Sequence, residues 1–78
     1  MILNRNRFYR THCYEVIDGH NVPSLILSYE SGEKLYDIRK TPGQPLRYSV
    51  NGKPYEPGTH ATADWVFTQI LDWHARTL

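Results

Sequence analysis

The side chains best suited to chemistry in this 78-residue chain are one thiol, Cys13, and four imidazoles, His12, His20, His60 and His74. A thiol becomes a strong nucleophile when a base removes its proton, and His12 is the immediate neighbour of Cys13. Adjacent residues on a strand point to opposite faces, however, and residues 8 to 17 read as a strand, so His12 is not positioned to activate Cys13. No Gly-x-Ser-x-Gly elbow offers a serine instead. The plainer reading of Cys13 is a small buried hydrophobe. A metal would need ligand pairs such as Cys-x2-Cys or His-x3-His on one local element, and neither spacing occurs. His60 and His74 fall at opposite ends of an expected helix, roughly 20 Å apart by helical rise. His12 and His20, across a first hairpin, are the remaining pair to test. The five glycines stand singly in turns, so no phosphate-cradling loop is formed. No catalytic residue, metal or cofactor is therefore expected, and an enzyme is not the expected class.

Recognition is the chemistry that remains. Arg5, Arg7 and Arg10 form the one uncompensated charge run, and they interleave with Phe8, Tyr9 and Tyr14. Arginines on phosphates with sheet aromatics on bases is the usual format of a single-strand nucleic-acid binder, which Arg47 and Tyr48 would extend. The overall balance gives little support to it: nine Lys plus Arg face eight Asp plus Glu, for a formal charge of +1. Glu30, Glu33 and Asp37 also offset Lys34, Arg39 and Lys40 in the middle of the chain. The aromatic-glycine signatures of common RNA-binding sheets are missing.

These groups must be held by short β-rich segments punctuated by Gly and Pro. Phe8 to Ile17 is aromatic and β-branched and ends at Asp18-Gly19, a pair suited to a tight hairpin turn. Pro23 to Glu30 alternates, with Leu25, Leu27 and Tyr29 on one face and Ser24, Ile26, Ser28 and Glu30 on the other. Glu33 to Lys40 places Tyr36 and Ile38 opposite Leu35, Asp37 and Arg39. Two prolines and Gly43 make 41 to 45 a loop. Leu46 to Val50 is a fourth strand, turning at Asn51-Gly52 into a short edge strand, Lys53 to Tyr55.

From about Thr59 to Leu78 there is neither Gly nor Pro, which predicts a helix with Thr59 or Thr62 as its cap and Asp64 in the first turn. Ala63, Val66, Phe67, Ile70 and Thr77 form its apolar stripe, flanked by Trp73 and His74 with Leu78 at the margin. The expected fold is α+β: an antiparallel meander of four to five strands with one C-terminal helix packed on one face, in a single domain spanning residues 1 to 78. Trp65 lies about 140° around the helix from Ile70, beside Asp72 and Arg76, so an indole should face outward unless it folds back over Tyr55 or Pro57.

Length decides between the classes. At this size a core alone supplies little net stability, and a lone cysteine cannot make an internal disulfide. Packing or association must do more. Met1, Ile2 and Leu3 are too short an apolar start for a signal sequence, and no run approaches the length of a membrane span. With one unpaired thiol, the chain is expected to be cytoplasmic. The leading expectation is a small protein-binding domain, an inhibitor or adaptor that occludes a surface of a larger complex. Anti-CRISPR inhibitors and other small phage proteins share this format, an analogy of size and architecture alone. Its contact residues would be Trp65, Asp72 and Arg76 on the helix with Arg5, Arg7, Arg10, Tyr9, Arg47 and Tyr48 from the arginine run and the sheet. Weak homodimerisation is a further expectation, and single-stranded nucleic acid the alternative partner.

Overall fold

The computed structural model describes residues 3 to 77. A 3-10 turn, Arg5–Arg7, leads into five strands, β1 (Phe8–Ile17), β2 (His20–Ser31), β3 (Lys34–Lys40), β4 (Arg47–Val50) and β5 (Lys53–Tyr55), followed by helix α1 (Ala61–Arg76). The strands pair in sequence order, all antiparallel, so the sheet is a plain meander with β1 and β5 as its two edges. The expected α+β meander with a terminal helix is the observed fold.

Two of the three tight turns carry paired positive φ values, while the Gly32–Glu33 turn between β2 and β3 has positive φ at Gly32 alone. Asp18 and Gly19 have φ of 51° and 76°, and Asn51 and Gly52 have 52° and 79°. Two successive positive φ values make type I′ turns, whose twist matches that of the strands they join. The β1–β2 hairpin continues past the end of β3: Leu25 pairs with Lys40, whereas Ser24 back to His20 pairs only with β1. This ribbon lengthens the molecule to 42 × 28 × 20 Å, and the radius of gyration is 12.8 Å, against about 11.5 Å for a compact chain of this length.

One sheet face is closed by α1. Leu27, Ile38 and Ile70 are fully buried, with Ala63, Val66 and Phe67 from the expected helical stripe beside them. Aromatic rings run through this seam without a break. Trp73 stacks on Phe8 at 5.3 Å, Phe8 meets Tyr29 at 4.7 Å, and Tyr29 meets Tyr36 at 6.5 Å. Phe67 then takes the edges of Tyr36 and Tyr48 and packs on Tyr55. Seven of the ten aromatic residues are therefore inside the core or at its margin, which leaves Tyr9, Tyr14 and Trp65 as the exposed ones.

The helix ends differ from expectation. The N-cap is His60, which makes no side-chain capping bond. Thr59 instead donates to the Glu56 carbonyl at 2.6 Å, and Thr62 lies inside the helix. The work falls to Asp64: the Gly58 N–H donates to its carboxylate at 3.0 Å and the Tyr55 hydroxyl at 2.7 Å. The His60 N–H in turn donates to the Tyr55 oxygen at 3.0 Å. These bonds, the Gly58 amide first, hold the Asp64 carboxyl below the usual range. Thr77 caps the other end, and Leu78 lies outside the described residues, as do Met1 and Ile2.

Candidate functional site: a groove beside the exposed indole

The three arginines at the N terminus do not form a patch. Asn4 caps the 3-10 turn by accepting from the Asn6 N–H at 2.9 Å, and the turn sends the side chains apart. Arg7 reaches the Glu30 carbonyl at 3.5 Å, at the end of β2. Arg10 points to the helix side, where its Nε donates to His74 Nδ1 at 2.9 Å and its Nη2 to the carbonyl of Thr77 at 2.9 Å. Its guanidinium also lies 4.2 Å from the centre of the Trp73 ring. The same Nη2 donates to the His74 carbonyl at 3.3 Å in the last turn of α1, and a cation there complements the partial negative charge of the helix end, so Arg10 adds a tertiary cap to the end that Thr77 closes. Burial, and then the nearby charge of Arg10, pushes the His74 imidazole below its ordinary value, as its Nδ1 lone pair requires.

Arg47 is likewise committed to a partner within the chain, although its side chain stays 45% exposed. It makes a two-pronged ion pair with Glu15, one prong at 2.7 Å, although they sit on β4 and β1, which are not neighbours. Adjacent strands are about 4.8 Å apart, so a flat sheet would keep these two separate. They meet because Glu15 pairs with Val22, where the β1–β2 ribbon has run past the end of β3 and no β3 residue stands beside it. Between them lies Thr41, 2% exposed, which donates to Glu15 at 2.8 Å and contacts Ser24 Oγ at 2.6 Å. Arg39 adds a bond to Ser24 at 3.2 Å and approaches Cys13 Sγ at 3.7 Å. Hydrogen bonds from Arg47 and then Thr41 hold the Glu15 carboxyl at about 2. The face without a helix is thus clamped by a polar lattice, and among the described residues no buried side-chain nitrogen or oxygen lacks a partner.

Tyr48 packs on Phe67 on the helix side, while Tyr9 lies on the open face, 41% exposed, within 3.5 Å of the Glu30 carboxylate. Burial and then that carboxylate raise the Tyr9 phenol. Arg10, Arg47, Tyr9 and Tyr48 therefore occupy different environments on opposite faces, and no stacking platform is assembled from them. His12 and His20 also alternate to opposite faces, and no group of three metal-ligating side chains occurs among the described residues.

The residues that do converge are Trp65, Asp72 and Arg5. They line a shallow groove of about 240 Å³ between the 3-10 turn and α1, with Gln69 on the helix and Phe8, Trp73 and Leu3 beneath. Trp65 is 36% exposed, and it lies on this groove, not over Tyr55 or Pro57. Arg76 joins through an ion pair with Asp72 at 3.0 Å, one helical turn away. The floor is the stacked Phe8–Trp73 pair, so its position is fixed by the core. An apolar wall, a fixed floor and a charged rim of both signs can accept a protruding side chain and hydrogen-bond its surroundings. Arg5 was legible in the sequence only as a charge; that it faces Trp65 depends on the 3-10 turn, which composition did not signal.

The two largest of the other hollows carry less. One of about 570 Å³ lies between His12, Leu25, Lys40 and the 41 to 46 loop, and one of about 690 Å³ lies along β4 and β5 near Arg47 and Pro54. Both are open, and neither gathers groups of matched chemistry. Among the described residues no helix is long and apolar enough to cross a membrane. No family model, no curated protein and no solved structure matches this chain.

Proposed function

We propose that this chain is a non-catalytic protein-binding domain that acts by covering a surface of a larger partner, as a small inhibitor or adaptor does. The observation that carries this reading is the exposed Trp65 indole over a groove whose rim is Arg5, Asp72 and Gln69 and whose floor is the Phe8–Trp73 stack. Tryptophan and arginine are the residue types most enriched where binding energy concentrates, above all on a rigid base. The groove sits on a helix and a capped turn that the core already holds, so little ordering is needed on binding. The residues expected at the contact are Trp65, Arg5, Asp72 and Arg76.

The test is affinity capture from a nuclease-treated lysate with wild-type and Trp65→Ala chains side by side. Proteins retained by the wild type and lost from the variant, with unchanged far-ultraviolet circular dichroism, support the reading. The same proteins on both chains would end it. A labelled oligonucleotide that binds at low salt and is released steeply as salt rises would instead favour nucleic acid as the partner.

A further inference from the structure

The two edges of the sheet are unequally protected. β5 is three residues long and contains Pro54, two of the usual devices against edge pairing. β1 is ten residues long, has no proline, and keeps an unbroken register with β2 from Phe8 to Ile17. Among the described residues, three of the four large hydrophobic side chains that are exposed, Tyr9, Tyr14 and Val16, lie on β1, the latter two at 71% and 70%.

The turn fixes which backbone groups of β1 face outward. In a two-residue type I′ hairpin the flanking residues, here Ile17 and His20, exchange hydrogen bonds, so the odd-numbered residues of β1 bond to β2 and the even-numbered ones face away. Phe8 is already used, its N–H donating to the Arg5 carbonyl. Arg10, His12, Tyr14 and Val16 keep both outward groups without a backbone or side-chain partner among the described residues.

From this we infer that β1 pairs antiparallel with β1 of a second copy, about a two-fold axis at Cys13, to make one continuous ten-stranded sheet. This register is the one in which all four outward residues pair reciprocally, Arg10 with the second copy's position 16 and His12 with its position 14. It also joins unlike halves. The exposed Tyr14 and Val16 of each copy come beside the part of the other's β1 that α1 covers, where Arg10 already stacks on Trp73. The two edges left at the ends of the joined sheet are the short, proline-bearing β5 strands. Of the residues that line the Trp65 groove only Phe8 lies on β1, and its N–H is already bonded to Arg5, so the pairing does not rest on the proposed function. The nine residues of each β1 that overlap in this register, 9 to 17, bury on the order of 1,000 Å² in total, the low end of specific interfaces and the size class of weak, transient contacts.

Sedimentation velocity from low to several hundred micromolar protein tests this. The expected result is an apparent mass that doubles with concentration. His12→Pro removes an outward N–H and no bond to β2, so it should fold and stay monomeric at every concentration. Tyr14→Lys with Val16→Lys should do the same without touching the backbone. In the wild type at high concentration, copper-phenanthroline should link the Cys13 thiols, because facing residues in a non-hydrogen-bonded pair approach to about 4.5 Å between Cα atoms. A wild-type chain that remains monomeric at several hundred micromolar would overturn the assignment and leave the edge to a strand of another protein. Dimerisation of the double-lysine variant equal to that of the wild type would overturn it as well.

Discussion

Beneath the helix, Leu27, Ile38 and Ile70 lose all contact with water and seven aromatic rings close around them. On the opposite face Ser24 and Thr41 are almost as thoroughly buried with no second layer above them, because Glu15, Arg39 and Arg47 lie across them and bond to them. The first arrangement depends on area and shape and responds to pH only at its margins, where Asp64 and His74 sit. The second depends on direction and charge, and it weakens when either partner is neutralised or screened. A small domain with one helix can therefore bury one face of its sheet by hydrophobic cover and part of the other, around Ser24 and Thr41, by long charged side chains laid across it.

Phe67→Ala should have the largest effect. It removes the ring on which Tyr36, Tyr48 and Tyr55 converge, at a cost of about 4 kcal/mol. That is most of the stability of a domain this small, so the variant should be largely unfolded by circular dichroism at room temperature. Arg10→Ala should come next, at about 2 kcal/mol, through loss of charged bonds to the last helix carbonyls and of the stack on Trp73. Hydrogen exchange should show the last turn of α1 fraying first.

Glu15→Gln should cost less than either and should act on the open face alone. Its signature is in the pH dependence. The Glu15 carboxyl binds its proton less readily in the folded chain than in the unfolded one. Its contribution is therefore fully present above its unfolded value of about 4.5 and is lost as pH falls toward about 2. Denaturant midpoints of the wild type should fall through that window and those of Glu15→Gln should fall less. An equal fall in both would detach the acid sensitivity from this ion pair. His74, also depressed, has the same sign at higher pH: its contribution is present above the ordinary value of 6.5 and declines as pH drops below it.

Trp65→Ala should change stability least, by about 1 kcal/mol or less, since the indole lies at the rim of the groove. A melting temperature close to that of the wild type, together with lost capture of a partner, would separate the binding surface from both faces of the sheet. A large loss of stability would instead make Trp65 part of the core.

The sheet, the helix and the buried stripe were legible because they follow from local rules. Alternation sends Leu27 and Tyr29 to one side and Ser28 to the other, paired positive-φ turns fix the first and last hairpins, and helical spacing gathers Val66, Phe67 and Ile70. The outward aspect of Trp65 follows from the same spacing. The fate of each charge did not. Arg5, Arg7 and Arg10 are alike in sequence, yet the first lines the groove, the second reaches the end of β2 and the third caps α1. Arg10 meets a residue 64 positions away, and Glu15 meets one 32 positions away on a strand that is not its neighbour. Periodicity fixes which way a side chain leaves its own backbone. What it meets there depends on the run of the β1–β2 ribbon past β3 and the seat of the helix, and so the sequence alone determined the fold and the tertiary structure decided which charged groups remain available to a partner.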